Sequence, residues 1–167
     1  MKMRISKLKL LVLMVMSAFG LWASSMVLVV YYYLKQQLPG CSSKPGGFFN
    51  CDAVLGSRYS QVFGIPLELF AVCYFIINLL LVFLIAFGSE SVYRWSLTIL
   101  FAWRFIGLII VPYLVSIELF IINAICLYCT IMHIAIVLDF IIISYFLFYK
   151  RDSFIDATQT SSAALSQ

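Results

Sequence analysis

Residues 123–149 read NAICLYCTIMHIAIVLDFIIISYFLFY, a long apolar run opened by a Cys-x-x-Cys pair, Cys126 and Cys129. A helix needs about 20 predominantly apolar residues to cross a bilayer, so this dithiol stands where a membrane helix meets water. Three further stretches have the same character: Leu10 to Leu34, Gln61 to Gly88 and Trp95 to Ile117. The chain is 64% hydrophobic and 11% charged, against about 25% charged residues in a soluble domain. The expected fold class is all-α integral membrane, a four-transmembrane-helix bundle. An outer loop over 35–60 and a short surface helix would cap the dithiol. Residues 1–9 form a basic amino terminus, 10–149 the membrane domain and 150–167 a polar tail without periodicity, expected to be disordered.

Lys2, Arg4, Lys7 and Lys9 precede the first span, and Ala23-Ser24-Ser25 resembles a signal-peptide cleavage site. A secretory apolar core is only about 7 to 15 residues long, whereas this one continues to Leu34, so it reads as a retained anchor. Lys and Arg near span ends stay on the cytoplasmic side. An inward amino terminus and four crossings then put Arg94, Lys150 and Arg151 inside, and Lys35, Lys44 and Arg58 outside. The net charge of +4 reflects this topology and requires no nucleic-acid partner. Cys41, Cys51, Cys126 and Cys129 fall on the outer, oxidising side, where disulfides persist. Cys73 lies inside the second span and reads as an inert packing residue.

Pro39-Gly40, Ser42-Ser43 and Pro45-Gly46-Gly47 make the first half of the outer loop turn-rich and mobile. A bridge between Cys41 and Cys51 would contribute roughly 3 kcal/mol in the chain-entropy model. Asn50 is an expected N-cap for a short helix beginning with Cys51 and Asp52, and Pro66 an expected first residue of the second span. Pro112 is expected to kink the third span, which would either make room for a flat ligand or serve packing alone. Asn123 is an expected N-cap for the fourth, which would put Cys126 in its first turn and favour the thiolate. His133 follows Cys129 by four residues and shares its face, so an imidazole deeper in the membrane could serve a lipid-side acceptor; a hydrogen bond between helices is the structural alternative. Zinc would need Cys126, Cys129, His133 and a loop cysteine, a set spread over a helix and a loop, and the reading here is that no metal is held. Thr130 stands where a c-type haem motif needs histidine. Arg104 and Asp139 lie roughly 20 to 24 Å below the outer span ends at 1.5 Å per residue, and are expected to form a structural ion pair. Glu68 and Glu118 sit near the outer interface, in a solvated or capping role.

Cys41, the run Asn50-Cys51-Asp52-Ala53-Val54-Leu55-Gly56-Ser57-Arg58-Tyr59-Ser60, Phe63-Gly64-Ile65-Pro66 and Cys126-Leu127-Tyr128-Cys129 together resemble the bacterial branch of the vitamin K epoxide reductase family, in a form without a fused thioredoxin-like domain. The resemblance extends from about Leu8 to Tyr149. It implies a thiol:quinone oxidoreductase of the bacterial inner membrane that reoxidises a soluble periplasmic thioredoxin-like partner. Cys41 would meet the partner, Cys51 would exchange with Cys126, and Cys129 would face a quinone, ubiquinone or menaquinone. Ser57 and Phe63 would line the quinone pocket. His133 stands where vitamin-K-reducing animal members carry tyrosine, and the spacer between Cys41 and Cys51 is longer than in some bacterial members. The alternative is a four-span structural or assembly protein whose loop disulfide is only a staple. Such a protein has no need for a second dithiol at a helix start.

Overall fold

A computed structural model describes residues 7–41 and 49–164, with side chains from Leu8 to Tyr145 apart from Glu90. Among the described residues, four helices are long and apolar enough to cross a membrane: Leu8–Tyr33, Leu67–Phe87, Ser91–Ile122 and Leu127–Tyr145. Helix α1 (Lys7–Met26) passes into a π-helical stretch, Val27–Tyr33. The short α2 (Cys51–Leu55) and a 3₁₀ turn (Arg58–Ser60) follow, then the strands β1 (Gln61–Val62) and β2 (Ile65–Pro66), then α3 (Leu67–Phe87). Helix α4 (Glu90–Ser116) again ends in π-helical turns, Ile117–Ile122, before α5 (Leu127–Ala164). The expected 42–48 half of the outer loop and residues 165–167 of the tail lie outside the described residues.

Several expected boundaries move. The second span starts at Leu67 because Gln61 pairs with Pro66 and Val62 with Ile65 in a hairpin. Its two-residue turn has Phe63 at φ 53° and Gly64 at φ 79°, the left-handed pair that matches strand twist. Pro66 therefore closes a strand and directly precedes the helix instead of occupying its first turn. Asn123 is not an N-cap. It adopts φ 55° as the left-handed C-cap of the preceding π-helical turns, the conformation that Asn tolerates at helix ends. Helix α4 runs through Pro112, with Ser116 Oγ donating to the Pro112 carbonyl at 2.7 Å. The backbone stays helical to Ala164 where a disordered tail is expected; no Gly or Pro interrupts residues 127–164.

Helix α1 packs against α3 and α5, and α4 packs against the same two, so α1 and α4 lie on opposite corners of the bundle. Gly20 permits the close approach of α1 and α3: a Cβ there would fall into the Phe75 ring. Large apolar side chains such as Phe19, Trp22, Phe105 and Ile109 point outward, which suits lipid. The interior holds one apolar cluster around Leu13, Val82, Leu100 and Ile143, and a second around Cys51, Cys126 and Cys129. Cys73 is exposed on the outside of α3, not packed in the core, because it lies away from the α1 and α4 contacts.

Candidate active site

The cysteine end of the bundle is built by short-range hydrogen bonding. Asn50 Oδ1 accepts the Ala53 N–H at 3.0 Å, so Asn50 caps α2 as its position suggests. Cys51 is the first helical residue and is fully buried, with Val54 and Leu55 on the same inward face. It forms a disulfide with Cys41, with Cα atoms 5.6 Å apart. The segment before Cys41 is tied down: Cys41 N–H donates to the Leu38 carbonyl at 3.2 Å, and the Tyr128 hydroxyl donates to the Pro39 carbonyl at 3.0 Å. Tyr128 lies between Cys126 and Cys129, so the dithiol motif itself anchors the loop of the other pair.

A backbone clip joins the two sulfur couples. The Asn50 N–H donates to the Ile125 carbonyl at 3.1 Å, and Phe49 forms an isolated parallel bridge with Ile125. Cys51 and Cys126, each one step beyond the clip, share one buried cluster with Cys129. Cys126 occupies the N-cap of α5: its carbonyl accepts the Thr130 N–H at 2.9 Å and its sulfur accepts the Cys129 N–H at 3.4 Å. Cys126 and Cys129 are unpaired and buried. The dithiol thus lies at the helix start, with Cys126 at the N-cap, three positions earlier in the turn than the Asn123 expectation would have it.

Cys129 forms part of the wall of a cavity of about 190 Å³ between α2, α3, α4 and α5. The lining is almost wholly apolar, supplied by Val54, Leu55, Ala71, Val111, Leu114 and Met132 among others. Val111 and Leu114 flank Pro112. His133 and Ser57 also face this space. The Ser57 hydroxyl donates to the Val54 carbonyl at 2.8 Å, so toward a ligand it is free to act as an acceptor. Phe63 does not join them. It sits fully exposed at the tip of the hairpin, because its turn geometry directs it away from the bundle; Tyr59 and Phe70 line the cavity instead.

Two carboxyl groups expected at the outer interface are buried in this wall, Glu68 at 5% and Glu118 at 6% exposure. Glu118 Oε2 accepts the Cys126 N–H at 3.3 Å. Glu68 lies beside the Tyr32 hydroxyl, and its Oε2 has no hydrogen-bond partner among the described residues. The signal was present in the sequence as two acids at the ends of apolar runs, where an ionisable residue is costly without a role. Deeper in the bundle, Arg104 Nη2 stands 3.3 Å from Asp139 Oδ2, both side chains almost wholly excluded from solvent. Among the described residues no three His, Cys, Asp or Glu side chains gather as a metal site.

Sulfur couples reachable from a loop on one side and from an apolar hollow within the bundle on the other belong to a membrane thiol oxidoreductase. No curated protein matches the chain. The family model described as the vitamin K epoxide reductase family matches residues 11–144, and the chain belongs to that family. Its members are all-helical membrane oxidoreductases linked to thiols and quinones.

Proposed function

We propose that the protein oxidises a soluble thioredoxin-like thiol protein and delivers the electron pair to a quinone through Cys41/Cys51 and then Cys126/Cys129. The observation that supports this reading is the Asn50 to Ile125 hydrogen bond at 3.1 Å, which ties the residue before Cys51 to the residue before Cys126. A partner thiolate attacks Cys41 of the Cys41–Cys51 disulfide and releases Cys51 as a thiolate; the partner's second thiolate then resolves the mixed disulfide and frees Cys41. With the inner pair oxidised, the Cys51 thiolate attacks Cys126, expelling Cys129 as a thiolate. Cys41 then attacks Cys51, restoring the outer disulfide and leaving Cys126 and Cys129 as the dithiol. The pairing of Cys41 with Cys51 beside a free Cys126 and Cys129 corresponds to the stage after this internal transfer.

The cavity suits a flat apolar ring, since its lining is apolar, Cys129 borders it, and Ser57, His133, Glu68 and Glu118 supply the few polar groups. A quinone bound there supplies a two-electron, two-proton acceptor. Leu55 and Val54 cover the space from the loop side and exclude water. His133, one helical turn beyond Cys129, is the residue proposed to hydrogen-bond the ring. We further propose that the cysteine end faces the periplasm across a bacterial inner membrane, with both termini cytoplasmic. The support is the bias of basic residues toward the other end.

Purified protein mixed with quinone and a reduced thioredoxin-like protein should convert the quinone absorbance, and Cys129→Ala should abolish this. Conversion that survives Cys129→Ala would overturn the terminal step. A purely structural staple predicts full function after Cys126→Ala.

A further inference from the structure

The connection between α4 and α5 is organised by one residue. The Glu118 carbonyl accepts the N–H groups of Asn123 and Ala124, the latter at 3.1 Å. Its carboxyl Oε2 accepts the N–H of Cys126 at 3.3 Å. Cys126 in turn receives the Cys129 N–H on its sulfur at 3.4 Å. A continuous path of hydrogen bonds therefore runs from the Glu118 carboxyl through the Cys126 backbone to the first turn carrying both thiols. Glu118 is 6% exposed. With His133 it separates the cavity beside Cys129 from a second hollow of about 340 Å³ between α4 and α5. A carboxyl held at this depth with no ion pair among the described residues carries a desolvation cost, and the bond to the Cys126 amide is its visible use.

We propose that Glu118 is a positioning residue that sets the dithiol–disulfide balance of Cys126 and Cys129, an inference that rests on reading this pair as the inner redox couple. The two hydrogen bonds are made in the dithiol form. Cys126 caps α5 and Cys129 is its third residue; side chains three apart along a helix have Cβ atoms roughly 5–6 Å apart, and a disulfide needs roughly 3.5–4.5 Å. The first turn must tighten, drawing the Cys126 amide from Glu118 and removing the Cys126 sulfur as acceptor for Cys129. Glu118 therefore stabilises the reduced pair relative to the oxidised one. In the half-reaction, the Cys126–Cys129 S–S bond breaks, two electrons enter, and two protons complete two thiols. A couple biased this way accepts electrons from Cys51 more readily.

The test isolates the pair in a Cys41→Ala/Cys51→Ala/Cys73→Ala protein, equilibrated in nanodiscs against mixtures of reduced and oxidised dithiothreitol, with the reduced fraction read by alkylation and mass spectrometry. Glu118→Leu should shift the equilibrium toward the disulfide about tenfold, a potential about 30 mV lower for a two-electron couple. Glu118→Gln, which keeps an acceptor oxygen, should stay within about threefold of the parent, on the scale of a single hydrogen bond. If Glu118→Leu does not fold, Glu118→Asp, one methylene shorter, carries the same expected shift. An unmoved equilibrium in a folded Leu or Asp variant overturns the proposal, as does a Gln variant that shifts as far as Leu. No quinone enters the measurement, so failure of quinone reduction in the unmodified protein would sink the proposed function and leave this inference separately decided.

Discussion

Asp139 meets Arg104 in the centre of the bundle, and the pair is completed by one residue from each remaining spanning helix. Ser17 Oγ donates to Asp139 Oδ2 at 3.0 Å, and Asn78 Nδ2 donates to the same oxygen at 3.3 Å. Arg104 donates from Nε to Asn78 Oδ1 and from Nη1 to the Asp139 carbonyl, both at 3.1 Å. Helices α1, α3, α4 and α5 are thereby tied in one polar knot beneath the sulfur site. Removing one partner of a buried ion pair costs roughly 3–5 kcal/mol because the other charge remains. Arg104→Leu should therefore lower the unfolding temperature in detergent sharply, with the Arg104→Leu/Asp139→Leu double variant recovering part of the loss. Asp139→Asn with unchanged unfolding and unchanged activity would refute the pairing role.

The clip between Asn50 and Ile125 predicts which mixed disulfide forms. In a Cys41→Ala/Cys129→Ala protein, both resolving thiols are absent, so mild oxidation should link Cys51 to Cys126. Non-reducing digestion and mass spectrometry should recover that linked peptide as the dominant species. A dominant bond to Cys73, which faces outward from α3, would contradict the arrangement.

Filling the cavity should act on quinone before it acts on sulfur exchange. Ala71 lines the space from α3, and Ala71→Trp should raise the quinone KM about tenfold or more, equivalent to about 1.4 kcal/mol of binding. Exchange between Cys41 and a soluble dithiol, measured without quinone, should keep its rate. Phe63→Ala should leave quinone kinetics unchanged, since Phe63 lies at the hairpin tip.

The contact of α1 with α3 depends on a missing side chain. A methyl at position 20 would overlap the Phe75 ring, and Phe75 is itself fully buried. Overpacking of this kind costs typically about 1–3 kcal/mol, so Gly20→Ala should lower the unfolding temperature. Gly20→Ala/Phe75→Leu should restore part of it if the clash is the cause.

The apolar runs, the few charges and the two cysteine spacings determined, without coordinates, that four helices cross a membrane and that two sulfur pairs gather at one end. Hydrophobic length and charge cost act locally along a chain, so they can be read in order. Asn50 as a cap was legible for the same reason, its signal lying within three residues. What only the tertiary structure decided depends on partners distant in sequence. Asn123 looks like an N-cap in isolation, yet it ends the preceding turn in a left-handed conformation because Glu118 collects the backbone N–H groups around it. Phe63 looks like a pocket aromatic, yet the hairpin turn sends it outward. Tyr128 gains its hold on Pro39 only when the loop folds back across the start of α5. Glu68 and Glu118 become cavity walls for the same physical reason: which face of a helix is buried is settled by the neighbour that packs on it, and that neighbour is named nowhere in the local sequence.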